Sequence, residues 1–265
     1  MSQTIPVYQI DAFSERPFAG NPAAVCPLES WLPEATMQAI AFENNLSETA
    51  FFVPTEGGAP GAYGLRWFTP KAEVDLCGHA TLASGHLILN LLIPELDKLL
   101  FETKSGPLEV TRSGDLLAMN FPARPPQPIA AIDGLAEAIG IEPLELLKFR
   151  KTMAVLADED QVRAVNPDFG FIAGMDSEGL LITAPGDDCD FVSRYFAPHV
   201  GIDEDPVTGS AHCVSVPYWA KRLGKETLHA RQVSARGGEL FCRAAGDRVE
   251  IAGRAVLFME GEIKL

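Results

Sequence analysis

The order of hydrophobic and polar residues predicts short strands interrupted by a few helices. Alternation over Pro6–Phe13 predicts a strand, as do the β-branched and aromatic residues of Thr49–Pro54 and Tyr63–Phe68. The segment His79–Ile93 is apolar on nearly every side, which predicts a helix buried all round, as if a sheet wrapped around it. Further strands are predicted at Leu99–Val110 and Leu116–Phe121, and further helices at Ser30–Ala41 and Leu135–Phe149.

Related motifs recur in the same order in both halves of the chain. Arg66-Trp-Phe-Thr-Pro70 is echoed 128 residues later by Arg194-Tyr-Phe-Ala-Pro198, and the turn Cys77–Ser84 is echoed by Thr208–Ser215. This predicts a duplication with halves at 1–121 and 129–265, the last strand being free to pack on the first half. The Pro-dense segment 122–128 is the predicted linker, because Pro-rich chain is extended and cannot join a sheet interior. The alternative is that strand–turn–helix units look alike in any α/β chain.

Composition and charge narrow the class of protein. The 265 residues are 47% hydrophobic and 22% charged, as in ordinary globular proteins. With 21 basic and 36 acidic residues the net charge is −15, so neither a nucleic acid nor a membrane surface is an expected partner. Five scattered cysteines form no CxxC pair, and no zinc-binding spacing occurs. The start lacks signal-peptide features and no apolar stretch reaches the roughly 20 residues of a membrane span, so we expect a cytoplasmic protein.

Two glycine-containing turns are the leading candidate binding features. Gly78 and Gly209 each stand at the start of a predicted helix, where backbone N–H groups lack partners and the helix dipole is positive. Glycine lets a ligand approach the backbone, and His79 and Ser210 add side-chain donors, so each turn is a candidate anion site. A single such turn is more often only a helix cap. Two copies could converge on one cleft and bind a small carboxylic acid, since no nucleotide motif accompanies them.

Candidate acid–base groups accompany these turns. Glu48 lies at the start of an apolar predicted strand. Burial there would raise the pKa of its carboxyl group, which suits proton transfer near neutral pH. The alternative is a solvated glutamate at a strand edge. Asp205 precedes a proline, so capping of the next helix is its simpler interpretation. His79 lies in the first helical turn, where the dipole favours a neutral imidazole.

Three other positions have interpretations of their own. Cys77 could be a thiolate at a helix N-terminus, but the equivalent turn holds Thr208, so the second thiol of a two-base racemase is missing. Asn21 is most simply part of a turn ahead of a strand. Pro217 interrupts the predicted helix Ser210–Leu223 and should kink it or end it early.

Several segments together carry a family resemblance. They are Phe18-Ala-Gly-Asn-Pro-Ala-Ala-Val25, Leu46-Ser-Glu-Thr-Ala-Phe51, Arg66-Trp-Phe-Thr-Pro70, Leu76-Cys-Gly-His-Ala-Thr81, Glu204-Asp-Pro-Val-Thr-Gly-Ser-Ala211 and Arg236-Gly-Gly-Glu-Leu240. The chain resembles the phenazine-biosynthesis-type (PhzF-like) isomerase family, and looks closest to its MAWD-binding-protein branch. The resemblance implies a diaminopimelate epimerase-like fold: two similar α+β domains related by pseudo-twofold symmetry, each a mixed sheet curled around a central helix, with the active site between them. It also implies a homodimer that needs no cofactor and no metal.

The resemblance also implies roles for individual residues. Glu48 matches the catalytic glutamate that moves a proton between carbons of the substrate, and His79 and Asp205 match residues that assist this transfer. The predicted substrate-binding residues are Gly78, His79, Gly209, Ser210 and Asn21.

The expected function is therefore that of a cofactor-independent isomerase acting on a small carboxylic acid, with Glu48 as acid and base. One alternative is a catalytically inactive small-molecule-binding or regulatory protein of the same fold. Another is a cysteine-dependent epimerase that uses Cys77. Specificity depends on pocket side chains that differ among members of a fold, so the sequence does not name the substrate.

Overall fold

The computed structural model describes residues 4–265, which fold into two compact units. The first unit extends to Asn120 and also contains Ala252–Leu265, and the second unit comprises Phe121–Ile251. Strands supply most of the regular structure of both units. Among the described residues, no helix combines the length and the apolar character needed to cross a membrane.

The first unit is a mixed sheet with a central helix. Its elements are β1 (Thr4–Ala12), β2 (Asn21–Pro27), α1 (Glu34–Asn44), β3 (Glu48–Pro54), β4 (Ala62–Phe68), β5 (Glu73–Val74), α2 (Gly78–His86), β6 (Lys98–Thr103), β7 (Gly106–Ser113) and β8 (Leu116–Pro122). Strand β2 pairs antiparallel with β1 and parallel with β3, and β3 pairs antiparallel with β4. Strand β4 then pairs antiparallel with β5 and parallel with β6, and β6, β7 and β8 form an antiparallel series.

The second unit has the same kinds of elements in a similar order. They are β9 (Gln127–Pro128), α3 (Leu135–Ile139), β10 (Glu145–Phe149), β11 (Lys151–Val155), α4 (Glu159–Ala164), α5 (Phe169–Ala173), β12 (Leu180–Pro185), β13 (Phe191–Ala197), β14 (Ile202–Asp205), α6 (Gly209–Leu223), β15 (Thr227–Gln232), β16 (Gly238–Ala245) and β17 (Arg248–Gly253), with a 3-10 turn at Pro198–Val200. Strand β11 is antiparallel to β10 and parallel to β12, and β12 is antiparallel to β13. Strand β13 is antiparallel to β14 and parallel to β15, which is antiparallel to β16.

The pairing scheme of the first unit is therefore repeated in the second. The series β10 to β16 reproduces, pair by pair and with the same relative directions, the series β1 to β7. The long helix α6 occupies the place in the second series that α2 occupies in the first, between the short strand and the strand after it. The repeated sequence motifs therefore occur at equivalent places in the two series of strands.

The end of the chain returns to the first unit as β18 (Ala255–Lys264). Strand β18 pairs antiparallel with β1 along its whole length, from Thr4 opposite Lys264 to Ala12 opposite Ala255. The Pro-dense segment 122–128 makes backbone hydrogen bonds at two places. Ala123 donates its N–H to the carbonyl of Asp247, and the last two residues of the segment form β9, which pairs with β10.

Helix α2 is buried against the strands of its own unit. It contacts β1, β2, β3 and β7, and Ala80, Leu82 and Ala83 have no exposed surface. The close packing requires glycine at one position, because a Cβ on Gly85 would lie 2.9 Å from Cγ1 of Val110.

The predicted helix His79–Ile93 continues beyond α2 as a π-helical segment, Leu87–Leu92. The prediction that it is buried all round is wrong for its end, where residues 90–92 are exposed. Polar contacts hold this end, since the Arg112 guanidinium donates to the carbonyl of Leu89 at 2.5 Å and to Oδ1 of Asn90 at 2.7 Å.

Two other helix predictions need correction. The predicted helix Leu135–Phe149 is wrong, because α3 ends after five residues and the later residues form β10. Gly140 adopts the left-handed conformation (φ 75°) that terminates helices, and Pro143 cannot continue one. The helix predicted from Ser30 begins at Glu34 instead, with Pro33 at its N-cap.

Pro217 does not end its helix early, so that one of the two predicted outcomes, a kink or an early end, is wrong. Helix α6 is continuous from Gly209 to Leu223 with Pro217 inside it. A proline has no N–H, which leaves the carbonyl four residues earlier, that of Cys213, without its helical donor. The backbone N–H of Arg124 donates to this carbonyl at 2.9 Å, so the Pro-dense segment supplies the missing hydrogen bond.

Candidate active site

Four of the predicted side chains meet at one end of the first unit. Asn21 is the first residue of β2, Glu48 is the first residue of β3, and Cys77 and His79 lie at the start of α2. The parallel pairing of β2 with β3 brings Asn21 and Glu48 to the same end of the sheet, since Ala23 lies opposite Glu48. The packing of α2 against both strands places His79 over that end.

His79 is the centre of this cluster. Its Nε2 lies 3.1 Å from Oε2 of Glu48, and its Nδ1 lies 3.2 Å from Nδ2 of Asn21. The Sγ of Cys77 lies 3.5 Å from Nδ1 and 4.0 Å from Nε2. His79 is 5% exposed and the Glu48 side chain 13%, so the pair is nearly enclosed and retains some access at Glu48.

The electrostatics of the cluster favour a charged histidine and a neutral thiol. Burial alone lowers the pKa of His79, but the negative charges that can form on Cys77 and Glu48 act in the opposite direction, and the net pKa lies well above its usual value. Burial, reinforced by the Glu48 carboxylate, raises the pKa of Cys77 to about 11. The direction of this shift is opposite to the neutral imidazole expected from the helix dipole, because the charges that can form on Cys77 and then on Glu48 raise the pKa of the ring.

Asn21 can bind His79 in either protonation state. A neutral ring with a bare Nδ1 accepts from the Asn21 NH2 group, whereas an imidazolium donates from both nitrogens and needs an oxygen there. A half-turn of the amide exchanges Nδ2 for Oδ1 at the same position. The side chain, which has no exposed surface, is thus suited to hold the ring while its charge changes.

The second unit contains the other predicted residues, around the start of α6. Asp205 is the last residue of β14, and Gly209 and Ser210 open the helix. The hydroxyl of Thr208 donates to Oδ2 of Asp205 at 2.6 Å. Thr208, and not Asp205, is the N-cap residue of α6, so this contact ties the aspartate to the turn ahead of the helix without making it the cap.

Gln232 on β15 belongs to this turn as well, although no sequence motif indicates it. Its Oε1 accepts the backbone N–H of Thr208 at 2.8 Å, and its Nε2 donates to the carbonyl of Asp205 at 2.6 Å. The side chain has no exposed surface. Gln232 follows Thr208 by 24 residues, so only the pairing of β15 with β13 brings it near.

The arginines of the repeated motif fix the segments that lead to both helices. In the first unit Nε and Nη2 of Arg66 donate to the two carboxylate oxygens of Glu73, each at 2.7 Å. In the second unit Arg194 donates in the same two-pronged way to Glu204, at 2.7 and 3.0 Å. Such bidentate pairs define orientation as well as distance. The motif is therefore structural, and it positions the chain just ahead of α2 and α6.

The arrangement includes one possible metal-binding group. Glu48, Cys77 and His79 each offer a ligand atom, and these atoms lie within 4.8 Å of one another.

Comparison with known proteins agrees with the fold and places the chain in a family. A solved structure of a phenazine biosynthesis protein of the PhzF family from Enterococcus faecalis superimposes with a TM-score of 0.95 at 47% identity, covering 99% of this chain and 100% of that chain. The expected α+β, diaminopimelate epimerase-like fold is confirmed. The profile of the PhzC-PhzF family, described as phenazine biosynthesis-like protein, matches residues 10–261. The chain belongs to this family.

Relatives extend from bacteria to mammals. A Pseudomonas aeruginosa protein named an uncharacterized isomerase is 52% identical over 261 residues, which cover 98% of this chain and 99% of the relative. A human phenazine biosynthesis-like domain-containing protein is 40% identical over 289 residues, covering 98% and 99% of the two chains. The protein is accordingly an enzyme of the isomerase class.

Proposed function

We propose that this enzyme moves a proton between carbons of a small carboxylic acid, with Glu48 as the acid and base. The observation that carries the proposal is the buried contact between Oε2 of Glu48 and Nε2 of His79 at 3.1 Å. A carboxylate that is nearly enclosed and paired with a titratable histidine is suited to take a proton from carbon and to return it.

The charge on His79 defines the resting state of the site. Burial lowers the pKa of His79, but the negative charges that can form on Cys77 and Glu48 raise it well above its usual value, which favours the protonated ring. In the first step the Glu48 carboxylate takes a proton from the substrate carbon, and the C–H electron pair is delocalised into the adjacent conjugated system. In the second step Glu48 gives the proton back to the same carbon or to a conjugated one, so no net proton is consumed.

The negative charge of the substrate is matched by the starts of the helices. The N-terminus of α2 at Gly78–His79 and that of α6 at Gly209–Ser210 are candidate sites for a carboxylate, because helix N-termini favour anions. Asp205, held by Thr208, remains our candidate for an assisting role.

Cys77 is a poor candidate for the base. With a pKa of about 11 its thiol is protonated at neutral pH, and the equivalent position in the second unit is Thr208. We therefore assign the proton transfer to Glu48 alone. We also propose that the protein is a homodimer and that it is cytoplasmic. The free thiols of all five cysteines support the second of these proposals, because they fit a reducing compartment.

The test is hydrogen exchange at carbon. The enzyme is incubated in D2O with a panel of small acids that have an acidified C–H bond, and deuterium incorporation is followed by mass spectrometry. We expect at least one acid to be labelled, and Glu48→Gln to abolish its labelling. Glu43→Gln is the matched control, because Glu43 is an exposed carboxylate on α1 and should leave exchange unchanged.

Three results would count against the proposal. No exchange with any acid, together with tight binding of one of them, would favour a binding or regulatory protein. Exchange that persists in Glu48→Gln would show that another group is the base. Loss of exchange in Cys77→Ala with retention in Glu48→Gln would assign the base to the thiol.

A further inference from the structure

Gln232 makes contacts that only one orientation of its amide allows. Its Oε1 accepts the backbone N–H of Thr208 at 2.8 Å, and its Nε2 donates to the carbonyl oxygen of Asp205 at 2.6 Å. A backbone N–H can only donate and a carbonyl can only accept, so exchanging Oε1 with Nε2 would place like groups against each other at both contacts. The amide is therefore fixed, and in this orientation Nε2 also donates to Oγ1 of Thr208 at 3.1 Å.

The fixed amide determines the direction of the Thr208 hydroxyl. A hydroxyl has one proton to donate, and Oγ1 of Thr208 already accepts from Gln232. Its own proton is therefore directed to Oδ2 of Asp205, 2.6 Å away. Within residues 4–265 this hydroxyl makes no capping bond with the backbone of α6, so it serves the aspartate rather than the helix.

The surroundings hold Thr208 in place and exclude water from it. Its carbonyl oxygen lies 2.8 Å from Nδ1 of His212, Thr208 is only 6% exposed, and neither Gln232 nor His212 has any exposed surface. A buried donor or acceptor that loses its partner there has little water to replace it. Asp205 itself is only half-buried, so its carboxylate can be reached by a small molecule.

The first unit builds the corresponding turn without such an amide. The parallel pairings of β4 with β6 and of β13 with β15 are equivalent, and Thr103 ends β6 as Gln232 ends β15. The Thr103 hydroxyl donates within its own hairpin instead, to the carbonyl of Gly106 at 2.6 Å. Helix α2 nevertheless begins at Gly78 as α6 begins at Gly209. The amide is therefore not required to start such a helix, which leaves the aspartate as the group that it serves.

We propose that Gln232 is a positioning residue for Asp205 in the proton transfer. Gln232 holds the Thr208 hydroxyl as a donor to Oδ2, and this donor fixes the carboxylate in one orientation ahead of α6. Because Gln232 is fully buried, it acts through Thr208 and does not touch the substrate. The inference rests on the proposed function, since it requires that Asp205 assist the transfer; the contacts of Gln232 with the turn do not.

The test separates rate from binding. D2O exchange is measured over a range of concentrations of the acid that the wild type labels, for Gln232→Met and Thr208→Val, which keep the approximate size of the side chain. We expect the exchange rate at saturating acid to fall at least about tenfold in each variant, while KM changes less than about threefold. Gln161→Met is the matched control and should exchange like the wild type, because Oε1 of Gln161 also accepts a backbone N–H, that of Ala157 at 3.1 Å, but at the start of α4.

A combined variant tests whether Gln232 acts on the aspartate. In the Asp205→Asn background, Gln232→Met should lower the rate by less than about threefold, because the carboxylate that Gln232 positions is already absent. Urea unfolding identifies a variant that does not fold, and Thr208→Val then provides the same comparison. Rate losses that multiply, a change confined to KM, or undiminished exchange in Gln232→Met would overturn the proposal.

A measurement without substrate distinguishes failure of this proposal from failure of the proposed function. Amide hydrogen exchange at Thr208, followed by NMR, should be at least about tenfold faster in Gln232→Met than in the wild type or in Gln161→Met. Unchanged exchange at Thr208 would refute the hold of Gln232 on the turn. If the wild type labels no acid, the proposed function and the positioning role fail together, whatever the amide result. If the wild type labels an acid and Gln232→Met labels it equally fast, only the positioning role fails.

Discussion

The ion pair between Arg66 and Glu73 provides a test of how the first unit holds its site. Glu73 lies three residues before Leu76 and the start of α2, and its side chain is 9% exposed. The same guanidinium also contacts Glu34 at 2.8 Å, but that side chain is 69% exposed. One arginine therefore has a buried and an exposed carboxylate partner, which can be removed separately.

The expected cost of Glu73→Gln follows from the contacts. The substitution weakens two hydrogen bonds of 2.7 Å to a guanidinium that is itself only 21% exposed, and also the contact between Nζ of the exposed Lys104 and Oε2 of Glu73 at 2.5 Å. Hydrogen bonds to charged groups contribute about 1.5–3 kcal/mol each, and the amide keeps one acceptor, so we expect a loss of about 2–4 kcal/mol in the free energy of unfolding. Glu34→Gln should cost less than about 1 kcal/mol, because exposed ion pairs contribute little.

The pH dependence gives the comparison a second readout. Hydrogen bonds from Arg66 hold the pKa of Glu73 below its ordinary value, against the opposing effect of burial. A carboxylate with a lowered folded-state pKa contributes stability above its unfolded pKa and loses it as the pH falls through the folded value. The difference between wild type and Glu73→Gln should therefore be full near pH 7 and shrink on acidification.

The assay is urea unfolding of the wild type and the two variants, followed by circular dichroism at several pH values. Exchange in D2O measured on the same samples would report whether a loosened turn also displaces His79. Equal costs for Glu73→Gln and Glu34→Gln, or a pH-independent difference, would refute the assignment of Arg66 and Glu73 as the anchor.

Two further predictions concern buried positions. Gly85→Ala should lower the free energy of unfolding by about 1–3 kcal/mol through overpacking. The higher helix propensity of alanine offsets up to about 1 kcal/mol of this loss. Urea unfolding should show that Val110→Ala costs less in the Gly85→Ala background than in the wild type, because it removes the atom 2.9 Å from the new Cβ; strict additivity would contradict this. Burial lowers the pKa of His212 to about 4, so the unfolded chain binds its proton first and stability should fall as the pH drops from about 6.5 towards 4. Thermal unfolding of His212→Phe, which can keep the ring packing on Phe191, should show a shallower loss over that range; an unchanged slope would exclude His212 as the cause.

Much of the local structure could be predicted from the sequence. Strands β1, β3, β4 and β8 lie where the alternating and β-branched patterns predict them, and the repeat of Arg66 at Arg194 corresponds to two equivalent ion pairs. These strands are predicted correctly because the spacing of the hydrophobic residues and the residue types determine which side of an element is buried.

The sequence-based predictions of helices are wrong where contacts with another part of the chain outweigh the local preference for secondary structure. The amphipathic spacing of Leu135–Phe149 suits a helix, but Gly140 stops it and β11 offers the later residues a strand partner. Pro217 should disrupt a helix by local rules, yet the N–H of Arg124, far away in sequence, satisfies the freed carbonyl.

The candidate site divides in the same way. The sequence by itself determined the family motifs and the identities of Glu48, Cys77, His79 and Asn21, because each is part of a recognisable local segment. Only the tertiary structure decided that the four meet around one imidazole, that burial raises the pKa of the thiol while charged neighbours raise that of the histidine, and that Gln232 holds the other turn. The physical reason is that charge states depend on burial and on neighbours a few ångströms away, and strand pairing rather than sequence order selects those neighbours.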